Sequence, residues 1–142
     1  VVICSGKIYF DLLEAREKLK KDDIIMFRIE ELYPFPVKTL VKYLEPYAKK
    51  AEFVWCQEEP KNMGAWEFVK DRIMVVLGKI KSEEKNINFI GRKAAASPAT
   101  GVFDRHLANQ KNLLRLATEA NIKEIQAEED GVSLVKYKLP IE

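Results

Sequence analysis

Histidine and cysteine are scarce: the 142 residues hold one His and two Cys. No close spacing joins them, so the chain does not offer the ligand set of a structural zinc site. No apolar run approaches the ~20 residues that span a bilayer, and no membrane partner is expected. The opening Val-Val-Ile-Cys is short and lacks a basic region before it, so it does not read as a secretory signal. There is no initiator Met, and we expect a processed product or a piece of a longer protein. Charge of one sign is not in excess either. Lys and Arg number 24 against 22 Asp and Glu, a net charge of +2. That is too balanced for a dedicated nucleic-acid binder, which needs a basic stripe to engage phosphates. Three motifs are also missing. Without Gly-x-Gly-x-x-Gly, a dinucleotide fold has no support. Ser5-Gly6-Lys7 lacks the spacing of a phosphate-binding P-loop. Without Gly-x-Ser-x-Gly, Ser97 and His106 do not read as a nucleophile and its base.

What is present is an ordinary globular composition, 47% apolar and 32% charged. A chain of this length buries roughly two-thirds of its unfolded surface, enough for one core. Cys4 and Cys56 each sit in an apolar run, which reads as two buried thiols in a reducing compartment. Nothing in the sequence supports a disulfide between them.

The pattern alternates short β-rich runs with amphipathic stretches. Strands are expected at Val1–Cys4, Ile24–Ile29, Ala51–Cys56 and Asn86–Ile90. Continuous apolar runs of this kind suit strands covered on both faces. Between them, Ile8, Leu12, Ala15 and Leu19 recur at helical spacing, as do Val37, Leu40, Val41 and Leu44. Tyr33-Pro34-Phe35-Pro36 is a loop, because two prolines block both ladder and helix. Pro46 ends the second helix. Asn62 is a candidate cap for a third helix, with Trp66, Val69, Ile73 and Val76 buried and Gly78 at its exit. Gly91–Gly101 is a loop rich in small residues, and a last helix is expected from about Asp104 to Ala120, with Leu107, Leu114 and Ala117 on one stripe. After the acidic stretch Glu124 to Asp130, Val132–Leu139 reads as one short strand without an assigned partner. The order β-α-β-α-β-α-β-α implies right-handed crossovers, a mostly parallel sheet and a three-layer α/β/α fold.

In such a sheet, ligands bind outside the carboxyl ends of the strands. Those ends carry Ser5-Gly6-Lys7, Arg28 to Glu31, Gln57 to Glu59, and Gly91-Arg92-Lys93. Lys7, Arg28, Arg92 and Lys93 offer cationic groups for phosphates. Glu58 and Glu59 point in opposite directions and do not share a proton easily, so salt bridges to Arg28, Arg92 or a neighbouring chain are expected. No catalytic residue is assigned.

Particular strings go further. Residues 4–13 (CSGKIYFDLL), 28–36 (RIEELYPFP), 53–66 (FVWCQEEPKNMGAW) and 91–101 (GRKAAASPATG) agree in order and spacing with one family. Over about residues 1–120 the chain resembles the C-terminal domain of the 2-oxoglutarate dehydrogenase E1 component. The resemblance implies a transketolase C-terminal-like fold over 1–120, with 121–142 as an extension, partly ordered at most. It implies a whole enzyme that decarboxylates 2-oxoglutarate with thiamine diphosphate and Mg²⁺ and passes a succinyl group to the lipoyl arm of the E2 component. The Gly-Asp-Gly…Asn motif of that cofactor site is absent here. The chain itself is therefore expected to be noncatalytic and without cofactor, completing a homodimer and supporting the active-site mouth. Tyr33, Phe35, Glu58, Glu59 and Trp66 are the expected interface or structural residues. A regulatory nucleotide or acyl-CoA site on Lys7, Arg28, Arg92 and Lys93 is the alternative. The resemblance places the protein in the cytoplasm of a bacterium or the mitochondrial matrix of a eukaryote.

Overall fold

The computed structural model describes residues 1–98, 101, 103–118 and 131–138. Five strands form one sheet: β1 (Val2–Cys4), β2 (Met26–Arg28), β3 (Val54–Pro60), β4 (Ile87–Arg92) and β5 (Val132–Tyr137). Four helices accompany them: α1 (Ile8–Leu19), α2 (Val37–Leu44), α3 (Trp66–Lys79) and α4 (Phe103–Thr118). A single 3₁₀ turn, Glu45–Tyr47, follows α2 where Pro46 removes a helical donor. The strand order is β2-β1-β3-β4-β5. The first four strands are parallel, and β5 runs antiparallel beside β4. The α/β class and the mostly parallel sheet are as the alternating pattern requires.

Side chains alternate across the pleat and build two cores. Ile3, Phe53, Trp55, Ile87 and Phe89 face the layer of α2 and α3, where Leu40, Leu44, Trp66, Val69 and Ile73 close over them. Val2, Cys4, Val54, Cys56, Ile90 and Val132 face the opposite layer, against Ile8, Leu12, Leu113, Leu116 and Ala117 of α1 and α4. Ile3 is in register with Trp55. One step further along both strands, Cys4 and Cys56 are therefore neighbours on the same face, and both thiols are free and buried.

Several local expectations shift. β2 is only three residues long, shorter than Ile24–Ile29. β3 starts and ends later than Ala51–Cys56, because the amide of Ala51 is tied back to the Tyr47 carbonyl in the preceding turn. At its other end the strand continues through Gln57-Glu58-Glu59-Pro60, since β4 also runs on and pairs Arg92 with Pro60. β4 likewise takes up Gly91 and Arg92, which the sequence assigns to a loop. Asn62 does not cap α3; no side chain of the N-cap residue, Ala65, does so either. Gly78 lies inside the last turn of α3 and not beyond it. In α4 the buried stripe is Leu113, Leu116 and Ala117, while Leu107 is 50% exposed. The expected end of that helix at Ala120, the acidic stretch and Leu139 lie outside the described residues. The strand without an assigned partner is β5, in register with β4 from Ile87↔Tyr137 to Arg92↔Val132.

Candidate functional site

Helix α1 leads from β1 to β2 on one side, and α3 leads from β3 to β4 on the other face and in the opposite direction. The switch point of this sheet lies between β1 and β3. Open α/β sheets place their ligand crevice at the carboxyl ends of such a pair. A cleft of about 380 Å³ lies there, lined by Ser5 and Gly6 after β1, Leu32 of the loop after β2, Trp55, Gln57 and Glu59 of β3, and Gly64, Ala65 and Phe68 at the start of α3.

Period-two alternation in β3 decides which residues reach this cleft. Trp55, Gln57 and Glu59 share its face. Glu58 points the other way, toward α1 and α4, where its Oε1 accepts from Gln110 Nε2 at 3.1 Å and lies 3.7 Å from Lys7 Nζ. The Lys7 ammonium also donates to Asp11 Oδ2 at 2.7 Å, which raises its pKa above the ordinary lysine value. The two adjacent carboxylates are thus separated by the sheet. Neither is paired to Arg28 or Arg92, the two partners expected within the chain.

Gln57 is the centre of the cleft floor, 2% exposed. Its Oε1 accepts from the Trp55 indole N–H at 2.9 Å and from the backbone N–H of Trp66 at 3.0 Å. Its Nε2 donates to the carbonyls of Met63 at 2.8 Å, Pro60 at 3.1 Å and Glu59 at 3.3 Å. One strand side chain therefore satisfies the first orphan amide of α3 and folds the 60–65 turn over the sheet. Gly64 is the close approach in that turn. It has φ +66, and a Cβ there would meet Gln57 Nε2 and Glu59 Cβ at 3.0 Å. Asn62 ties the same turn to the loop after β4, donating to the Ala95 carbonyl at 2.9 Å and accepting from the Ala95 amide at 3.0 Å.

The four expected phosphate-binding cations do not converge on the cleft, and none of them lines it. Arg28 lies 3.1 Å through Nε from Glu30 Oε1, with its guanidinium 5.1 Å from the ring centres of both Tyr9 and Phe10. Glu30 Oε1 also accepts from the Gly6 amide, so a carboxylate of the chain already sits against that turn. Arg92 donates through Nε to the Glu58 carbonyl at 2.6 Å and through Nη2 to the Pro98 carbonyl. Lys93 is held to Gly131 through its backbone amide at 3.0 Å.

Residues 1–118 match the 2-oxoglutarate dehydrogenase C-terminal family. The chain belongs to this family. It is 53% identical over 108 residues to the 2-oxoglutarate dehydrogenase E1 components of Brucella anthropi, Brucella ovis and Brucella canis. The match covers 76% of this chain and 11% of each relative, so the chain spans about a tenth of the length of these curated relatives.

In this 2-oxoglutarate dehydrogenase C-terminal chain, the expected interface residues divide by environment. Tyr33 is 82% exposed in the loop before α2. Phe35 is half-buried against the core. Glu59 is exposed at the cleft and Glu58 is half-buried. Trp66 is 1% exposed, its ring centre 5.0 Å from Phe89 and 5.9 Å from Tyr137. His106 is exposed on α4. Burial pushes the Cys4 thiol up to about 12 and Cys56 well above its ordinary value, so neither is a nucleophile near neutral pH.

The described residues do not fit thiamine diphosphate and Mg²⁺. The switch-point cleft has one carboxylate and no cation to meet a diphosphate. Asp11 and Glu58 are already engaged by Lys7 and Gln110. Among the described residues, no three His, Cys, Asp or Glu side chains come together as metal ligands, and no helix is long and apolar enough to cross a membrane. Sequence reasoning places Gln57 at the carboxyl end of its strand but gives it no role. Its one signal is a polar residue two positions after Trp55, on the buried face of an apolar strand.

Proposed function

We propose that the chain is the noncatalytic C-terminal part of a 2-oxoglutarate dehydrogenase E1 component, an oxidoreductase that decarboxylates 2-oxoglutarate and passes a succinyl group to the lipoyl arm of E2. The family match over residues 1–118 carries this reading. Thiamine diphosphate and Mg²⁺ then bind in the rest of that enzyme, consistent with the poor fit of this chain's carboxyl edge to a diphosphate. The unit is residues 1–120, with 121–142 as an extension whose strand β5 widens the sheet. It contributes to a homodimer within the multienzyme complex of the tricarboxylic acid cycle and supports the active-site mouth. Among the described residues Tyr33 is the most exposed large apolar side chain, and Phe35 and Glu59 are further contacts. Such an enzyme resides in the bacterial cytoplasm or the mitochondrial matrix.

The test is a graft. Replacing the matching region of the Brucella anthropi relative with this chain should leave a dimer that decarboxylates 2-oxoglutarate with thiamine diphosphate and Mg²⁺. The chain alone should show no turnover. Turnover by the chain alone, or a folded chimera without activity, overturns the proposal.

A further inference from the structure

We infer that the switch-point cleft between β1 and β3 receives a cationic group with an apolar stem, a guanidinium or an ammonium, and not an anion. This inference stands on the cleft itself and does not depend on the family reading.

The lining decides the sign. Of the nine residues around the cleft, Glu59 is the one that carries a formal charge. No partner for its carboxylate lies among the described residues. Ser5 supplies a hydroxyl that makes no other hydrogen bond among the described residues, and it can accept from a cation's N–H. The two remaining side-chain polar groups are committed: the Trp55 indole N–H donates to Gln57 Oε1, which also accepts from the Trp66 amide, and Gln57 Nε2 donates to three carbonyls. Of the side chains left for a ligand, the Glu59 carboxylate is the charged one, and it is an acceptor. The Gly6 amide, which an anion would need, is taken by Glu30. Glu30 is itself paired with Arg28 at 3.1 Å, so Glu59 is the charge that sets the sign of the cleft.

The rest of the lining fits an apolar stem. Leu32, Trp55, Ala65 and Phe68 supply hydrocarbon and aromatic wall. A guanidinium or ammonium places its donors on the carboxylate and lays its methylenes on such a wall. The geometry is fixed from behind. Gln57 holds Trp55 and the turn carrying Gly64, and Gly64 packs against Glu59 Cβ. The cation comes either from a free small amine or from an Arg or Lys side chain of a partner.

The experiment is a nuclear magnetic resonance titration of the whole chain with acetyl-arginine amide, watching the Gly6 and Gly64 amides and the Trp55 indole N–H. Saturable shifts are expected, with a dissociation constant on the order of 1 mM for so small a ligand. Glu59→Gln should weaken binding about tenfold, because it removes the charged acceptor. Glu31→Gln, at an exposed carboxylate outside the cleft, should leave it unchanged. Acetyl-citrulline amide, the neutral isostere, should bind at least about tenfold more weakly. A short Arg-containing peptide that binds tighter than the free compound points to a partner's side chain, and equal affinity points to a small amine; both support the cationic class. No saturable shift, equal affinity for the neutral isostere, indifference to Glu59→Gln, or binding of inorganic phosphate at the same amides overturns the inference.

Discussion

Replacing Gln57 by leucine keeps the volume of the side chain and deletes five hydrogen bonds at once. The magnitude follows from which groups are left behind. The indole N–H of Trp55 and the amide of Trp66 both lie in the buried layer under α3, and both lose their acceptor. An orphaned buried donor costs ~1–3 kcal/mol. The carbonyls of Glu59 and Met63 sit at the mouth of the turn, where water can replace the lost amide at little cost. The Pro60 carbonyl keeps its bond from the Met63 amide. The expected loss is therefore ~2–6 kcal/mol, a large fraction of the ~5–15 kcal/mol that stabilises a typical domain. Specific unfolding entropies put ~0.3 kcal/mol/K on a chain of this length, so the melting temperature should fall by about 7–20 °C. Urea unfolding followed by tryptophan fluorescence and circular dichroism measures the loss. A cycle with Trp55→Phe isolates the bond between the two side chains. Trp55→Phe leaves a core cavity in either background, but in Gln57→Leu it also removes the orphaned indole N–H, so it should cost less there than alone. A Gln57→Leu loss below ~1 kcal/mol, or additive losses in the cycle, would refute the view that this side chain holds the cleft together.

Other outcomes follow from neighbouring features. Gly64→Ala should cost ~1–3 kcal/mol and shift the Trp55 indole resonance, since φ +66 disfavours a side chain and a Cβ would press on Gln57 at 3.0 Å. Urea midpoints of the variant and the parent chain compare them directly. Asn62→Ala removes both bonds to Ala95 on an exposed loop and should cost no more than ~1 kcal/mol, while hydrogen exchange of the Ala95 amide rises. Burial raises the Cys4 thiol from 9.0 to about 12 and Cys56 in the same direction, so the folded state keeps protons that the unfolded chain releases. Stability from these thiols is full below pH 9.0 and is lost as pH rises toward about 12. Urea midpoints between those limits should fall, and should fall less in Cys4→Ala/Cys56→Ala. A thiol reagent at neutral pH should modify neither cysteine until the chain unfolds.

The helices were the most legible elements. The stripe Ile8, Leu12, Ala15, Leu19 coincides with α1 at both ends, and Val37 to Leu44 with α2. Each of these is a local amphipathic pattern closed by a local stop. The apolar run of β3 misled because its useful part continues past Cys56 into polar residues. Gln57 and Glu59 look like loop residues in the sequence and become strand residues only because β4 runs beside them to Arg92. In α4, Leu107 and Leu113 are equally apolar. What separates them is where α1 and the sheet lie beneath the helix, which leaves Leu107 half in solvent.

The candidate site shows the same division. Alternation along β3 separates Glu58 from Glu59 from the sequence alone, since period two needs no partner. The charges at the strand ends were equally plain. Their pairing was not: Arg28, Lys7 and Arg92 find Glu30, Asp11 and backbone carbonyls, choices set by which turns the crossovers bring alongside. The sequence by itself determined the α/β class, the kinship with the 2-oxoglutarate dehydrogenase C-terminal family and the burial of both cysteines, because each rests on local pattern and residue type. Only the tertiary structure decided that Cys4 and Cys56 are neighbours, that Gln57 closes the start of α3, and that Glu59 is the one charged side chain lining the cleft between β1 and β3. Those facts depend on strand order and register, which bring together residues some fifty positions apart.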